Sequence, residues 1–209
     1  MKRKKYLYTT IVIIILVLFS YWAKSKLGIN FSDSFSISKY FPFKYLTRSN
    51  VIKASVTGEL INEPFESKLL PNNWSKLWMK EKGKVTQGYD KNGINNSRTL
   101  LIKSNSSKSW SYSHNMFIQV EPGDNFRFEG LVKTNGKAVT AFLGVASFDM
   151  NKKVIKWSHV RKKVDKTNLW VNVKEHFKIS SNEIEYIRLR LTGYGIGEFW
   201  FDEIKLMKE

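Results

Sequence analysis

Three stretches of this chain set aromatic and basic side chains two residues apart, the spacing that puts them on one face of an extended strand. Trp110, Tyr112 and His114 form the first; Trp157, His159 and Arg161 form the second; Arg188 and Arg190 form the third. Tyr194 follows between two glycines. Flat aromatic faces beside hydrogen-bonding groups suit a ligand with an apolar C–H face and hydroxyls, as a sugar ring has. Two guanidiniums on one sheet face suit carboxylates or phosphates, held through paired N–H donors. Each group has a plainer alternative. Large aromatics at strand spacing usually belong to a core. Arginines alternating with Ile187, Leu189 and Leu191 also describe a solvated outer face.

Catalytic patterns are missing from the sequence. His114, His159 and His176 have no HExxH spacing, and there is no G-x-S-x-G elbow or Walker loop. Gly193-Tyr194-Gly195-Ile196-Gly197 lies between two strand-like runs and reads as a turn rather than a phosphate cradle. The chain has no cysteine, which excludes disulfides, thiol nucleophiles and Cys-ligated zinc. The expectation is a protein that is not an enzyme.

The elements that must position these residues are strands. Leu100 and Ile102, then Met116, Ile118 and Val120, then Phe126 and Phe128 alternate with polar neighbours. The pattern continues through Phe142 to Phe148, Val154 to Val160, Trp170 to Ile179, Glu185 to Thr192 and Glu198 to Met207. Glu121-Pro122-Gly123-Asp124 and Asn151-Lys152-Lys153 are turns by composition. Eight to ten short strands without βαβ alternation predict an all-β antiparallel sandwich or barrel.

The N-terminus is different. Lys2, Arg3, Lys4 and Lys5 precede an uncharged apolar run from Tyr6 to Trp22. Aromatic residues bracket the run, and the basic residues before it outnumber Lys24 and Lys26 just after it. The segment is expected to cross the membrane once, with the N-terminus cytoplasmic and the rest extracytoplasmic. A cleaved signal peptide shares the charged start and apolar centre, but Ala23-Lys24-Ser25 is a poor cleavage site beside Tyr21 and Trp22. The expected division is a basic tail and transmembrane helix at 1–26, a short stalk at 27–59 and a β-sandwich at 60–209. Of the formal +17 charge, residues 1–61 supply +8, from ten Lys/Arg and two Asp/Glu. The remaining +9 lies on the folded part, where it favours an anionic partner or reflects only lysine-rich composition. An outward-facing domain makes nucleic acid an unexpected partner.

The order of the motifs resembles a known group. Leu60-Ile61-Asn62-Glu63-Pro64-Phe65-Glu66 with Trp74 is similar to the opening of carbohydrate-binding modules of the galactose-binding-like jelly-roll group, often attached to xylanases and other glycosidases. Pro122-Gly123 with Phe126 to Lys133, Trp170-Val171-Asn172-Val173 with Phe177, and Arg188 to Leu191 with Trp200-Phe201-Asp202-Glu203 follow in the group's order. The resemblance implies a jelly-roll β-sandwich in which Trp74 and Trp170 are core. It also implies one structural calcium ion joining the first and last strands, with Glu66 and Asp202 as ligands and Glu203 where the group has a second Asp. Finally it implies a bound polysaccharide or other glycan, with Trp110, Tyr112, His114, Trp157, His159, Tyr194, Arg188 and Arg190 as candidate contacts. The competing expectation is a structural or assembly subunit that contacts another envelope protein. The placement of the aromatics separates the two: a row along a groove favours sugar, and full burial favours assembly.

Overall fold

A computed structural model describes residues 51–66, 73–91 and 93–209. The expected membrane segment and most of the stalk lie outside the described residues. Among the described residues every regular element is a strand apart from one 3-10 turn at Ile94–Asn96. The strands are β1 (Val51–Lys53), β2 (Gly58–Glu63), β3 (Trp78–Met79), β4 (Val85–Asp90), β5 (Thr99–Ser104), β6 (Trp110–Ser113), β7 (Phe117–Gln119), β8 (Asn125–Phe148), β9 (Val154–Asp165), β10 (Thr167–Lys178) and β11 (Tyr186–Lys208). The sheet takes in Val51–Lys53, upstream of Leu60, because β1 pairs in parallel with β7.

The spine is a ribbon of β8 and β11, paired antiparallel from Tyr186↔Phe148 to Lys208↔Phe126. It serves two layers because it bends midway. One layer carries β3, β6, residues 186–194 of β11, residues 140–148 of β8, and β9. The other carries β4, β5 and β2 on residues 197–208 of β11, with β10 on the first part of β8. The bend falls at Gly136, Gly195 and Gly197, and it shifts the register between Tyr194 and Ile196. Gly195 has φ 101°, and a Cβ there or at Gly197 would run into the Ala138 or Asn135 carbonyl of the facing strand. Only glycine permits both the dihedral and the approach. The glycine-rich run read as a turn is therefore a bend inside one strand, and two expected strands are one.

Alternation does the rest. Ile187, Leu189 and Leu191 from one layer and Phe199, Phe201, Ile204 and Leu206 from the other are fully buried. Trp110 packs edge-on against Phe199 and Phe201 across the layers, with ring centroids 5.1 and 6.1 Å apart. Leu143 and Ile204 close over Gly130 from the two sides. This is the packed double layer of a β-sandwich. Trp74 is core as expected, stacked 5.0 Å from Tyr112. Trp170 is not. It is only partly buried, with Lys133 over its ring at 5.9 Å on the outer face of the second layer.

Candidate functional site

The outer face of the first layer carries the candidate site. Strand register lines up Trp78, Ser111, Thr192, Phe142 and Lys163 across β3, β6, β11, β8 and β9. Beside this row run Ser113, Arg190, Gly144 and Arg161. These positions point away from the core because their neighbours, Trp110, Tyr112, Leu191 and Leu143, point into it. A cleft of about 500 Å³ opens on this face between Ser75, Lys76, Trp78, Ser111, Ser113, Trp157, Arg188 and Arg190. A second hollow of about 460 Å³ shares Trp78, Ser111, Trp157 and Arg190 with it and reaches Phe142, Arg161, Lys163 and Tyr194. Trp157 is 60% exposed, Trp78 55% and Tyr194 40%.

Arg190 organises the floor. Its Nη1–H donates to the Trp157 carbonyl and its Nη2–H to Ser111 Oγ at 2.7 Å. Its guanidinium lies 4.8 Å from the Trp157 ring centroid, a cation–π contact, and the ring remains 60% exposed. Arg188 donates from Nε to the His114 carbonyl and lies over Phe117 at 5.0 Å. Burial lowers the pKa of both, that of Arg190 to about 10, where the charge of Arg188 adds to the effect. Neither forms an ion pair with a carboxylate among the described residues. Arg161 also stands over an aromatic ring, Phe142, at 4.3 Å. No Asp, Glu or His lines either hollow among the described residues.

The predicted site residues divide. Trp157, Tyr194, Arg188 and Arg190 meet on this face. Trp110, Tyr112 and His114 do share a face, but it is the inner one: they are 1%, 1% and 3% exposed. Burial pushes the Tyr112 phenol up to about 12. His114 donates from Nε2 to Glu63 Oε1 at 3.1 Å, since its Nδ1 accepts from the Met116 N–H, and so belongs to a buried polar pair rather than a ligand surface. Trp157 and His159 part company because β9 carries extra residues there. Val145↔Val160 and Ser147↔Lys156 set two steps of β8 against four of β9, and a bulge breaks the alternation. His159 turns towards Phe177, 6.1 Å between rings, and burial, then the charge of Lys156, lowers its pKa. Trp78 was not foreseen, because a two-residue strand has no period to read.

A second cluster sits at the edge of the other layer. Asp202 is 1% exposed and accepts hydrogen bonds from Ser97 Oγ (3.1 Å) and the Glu203 N–H (2.9 Å). Burial raises its pKa first, and the charges of Glu203 and Glu66 raise it further, while the two hydrogen bonds oppose the shift. The backbone is left-handed at Phe65 (57°), Asn96 (60°) and Glu203 (48°), a conformation that costs energy in a non-glycine residue and recurs where main chain wraps a ligand. A Cβ at Gly93 would collide with Ser97 Oγ and Asp202 Oδ2, so the 93–97 turn presses close onto the carboxylate. The charges of Glu203 and Glu66 both reach Asp202, but among the described residues no three Asp, Glu or His side chains gather as a metal-binding group.

No family model matches the chain. A curated relative, the tRNA(Glu)-specific nuclease WapA of Bacillus subtilis subsp. natto (strain BEST195), is 25% identical over 147 residues, which are 66% of this chain and 6% of the relative. Among solved structures, the CBM22-1–GH10 modules of Clostridium thermocellum endo-1,4-beta-D-xylanase 10B, complexed with xylohexaose, superpose with TM-score 0.53 and 17% identity, over 73% of this chain and 29% of that one. The enzymatically active domain of bacteriophage CBA120 tailspike protein 4 gives 0.51 and 14%, over 70% and 20%. The C-terminal family 22 carbohydrate-binding module of the same Clostridium xylanase gives 0.50 and 16%, over 73% and 96%. The chain thus spans a small part of the nuclease and under a third of the first two structures. The likeness is one of fold: a β-sandwich of the kind carbohydrate-binding modules have.

Proposed function

We propose that this chain is a non-catalytic, membrane-tethered module that binds a cell-surface or extracellular polysaccharide outside the cytoplasm. The observation that carries the reading is the cleft. Two exposed tryptophans, Trp78 and Trp157, stand beside the Ser75, Ser111 and Ser113 hydroxyls and the Arg190 guanidinium. Apolar faces with polar groups at their edges are what a pyranose ring needs, C–H face down and hydroxyls to the side. A structural neighbour solved with xylohexaose makes a sugar chain a natural occupant to test. The lack of Asp, Glu or His among the described lining residues supports binding over hydrolysis, since glycoside cleavage needs an acid and a base or nucleophile at the bond. The tether rests on the basic start and the apolar run from Tyr6 to Trp22. Glu66 and Asp202 would hold one structural calcium ion together with main-chain oxygens, and the ion would fix the last strand to the chain around Glu66.

The test is affinity electrophoresis of the full chain, in detergent, through gels containing plant and microbial polysaccharides. Retardation by at least one polymer, abolished by Trp78→Ala with Trp157→Ala, is the expected result. Free migration through every gel would sink the reading. Protease accessibility in intact cells checks the tether: a C-terminal tag should be cleaved from outside, an N-terminal one protected.

A further inference from the structure

The cleft carries more positive charge than a neutral sugar chain requires. Lys76, Arg188 and Arg190 line its first hollow, and Arg161 and Lys163 join Arg190 in the second. Of these only Lys163 has a carboxylate partner among the described residues, Asp165 at 2.9 Å on the rim. Arg190 Nε is buried with no hydrogen-bond partner. Arg188 and Arg190 stand close enough for one to raise the energy of the other's charge. Holding two part-desolvated guanidiniums side by side without a counter-charge is unfavourable for the free chain. An anion seated between them removes that penalty, and it gains Coulomb attraction in a pocket where water screens less. The cations are also spread rather than gathered at one point. Register places Arg190 and Arg161 on one row, separated by Gly144, and Lys163 on the next row beyond Phe142. A single small anion does not use such a line; a polymer with a charge in each repeat does.

Resting on the polysaccharide reading above, we propose that the cleft selects an acidic polysaccharide. One sugar ring stacks on Trp157, and its anionic group, a carboxylate or a phosphodiester, faces Arg188 and Arg190, while further charges of the chain follow Arg161 and Lys163.

The experiment measures binding of the full chain in detergent to five immobilised polymers: polygalacturonate, a teichoic-acid-type phosphodiester polymer, neutral xylan, heparin and duplex DNA. The expected result is binding to polygalacturonate or the phosphodiester polymer at least about tenfold tighter than to xylan. That preference should shrink several-fold as salt rises from about 50 to about 300 mM, as screening demands. Which acidic polymer wins names the anion. Arg190→Gln should lose about tenfold on the acidic polymer. Arg161→Gln, at an exposed position on an edge strand, should lose a few-fold with only a small drop in melting temperature from its contact with Phe142, which keeps the test independent of folding at Arg190. Equal or tighter binding to xylan overturns the proposal and leaves the polysaccharide reading standing. Binding to DNA as tight as to the acidic polysaccharides, heparin among them, overturns it too, because charge without a sugar-specific fit then suffices. No binding to any polymer overturns both.

Discussion

The two outer faces of this sandwich are built from the same two strands and much the same residues, yet they end in opposite states. On the second layer the basic side chains have carboxylate or aromatic partners, although Arg127 Nε, like Arg190 Nε, is buried without a hydrogen bond. Lys103 pairs with Glu198 at 2.8 Å, and the Trp200 indole N–H donates to Asp90 at 2.9 Å. Lys133 lies between the Trp200 and Trp170 rings, and Arg127 reaches Glu129 and Glu209. On the first layer Trp157 and Trp78 stand in solvent, and Arg188 and Arg190 have no carboxylate among the described residues. A face that satisfies itself is finished. A face with open aromatic surface and unpaired, part-buried charge is prepared for something else. The difference, rather than the presence of tryptophan or arginine, is what makes this face the candidate site.

The largest effect expected is one that abolishes the distinction by removing what both faces stand on. Trp110 is buried under the cleft layer and meets Phe199 and Phe201 of the other. Trp110→Ala should cost about 3–5 kcal/mol in urea unfolding, the usual range for emptying an aromatic site, and should lower the midpoint for both layers together. Two separate transitions would mean that the layers are not one cooperative unit.

Next comes the carboxylate corner of the second layer. Burial raises the pKa of Asp202, so the folded chain holds that proton more tightly than the unfolded one. Without a cation, stability is then full at acid pH and falls as pH rises from the ordinary carboxylate value through the raised one. A bound calcium ion reverses the sign, because it favours the ionised form. Calcium at about a hundred times its dissociation constant should add about 2.7 kcal/mol at pH 7, and the gain should fade as pH falls through the carboxylate range. Asp202→Asn should erase the calcium increment seen in thermal melts. An increment of equal size in that variant would remove Asp202 from the ligand set.

A smaller effect separates the faces directly. Trp157→Ala should weaken polysaccharide binding about tenfold or more, as losing one stacking platform does, while moving the melting temperature little, because the ring is 60% exposed. Trp200→Ala, on a ring 5% exposed, should do the reverse. If both variants changed stability and neither changed binding, the open face would be no more functional than the closed one.

How far this contrast was legible in the sequence depends on what each residue's neighbours were. Alternation at Ile187, Leu189 and Leu191 gave the inner face of β11 directly. The fold class followed from many such runs and from the order of the motifs. Trp110, Tyr112 and His114 misled because two-residue spacing names a shared face without saying which one. The answer lay in the intervening Ser111 and Ser113, small polar residues that suit the solvent side of an amphipathic strand. The same rule fails at Trp157, which Lys156 and Ser158 flank much as serines flank Trp110, yet which is 60% exposed. The bulge that sends His159 elsewhere has no such signature. The bend at Gly195 and Gly197 looked like a turn because left-handed glycine is the chemistry of both, and only the continuing ladder to β8 tells them apart.

The smallest effect tests whether the closed face is as finished as its contacts suggest. Lys133 and Arg190 are a matched pair: each is a partly buried cation set against tryptophan, at 5.0 Å from Trp200 and 4.8 Å from Trp157. Lys133 is held between two rings and lies on the layer away from the cleft. Lys133→Met keeps the length and apolar stem and removes only the charge, so its cost should be the cation–π contribution alone, about 0.5–1 kcal/mol. Polysaccharide affinity and its salt dependence should not change. A drop in affinity for an acidic polymer would mean that the ligand wraps onto the second layer, and the line between an open and a closed face would have to be redrawn around both tryptophan pairs.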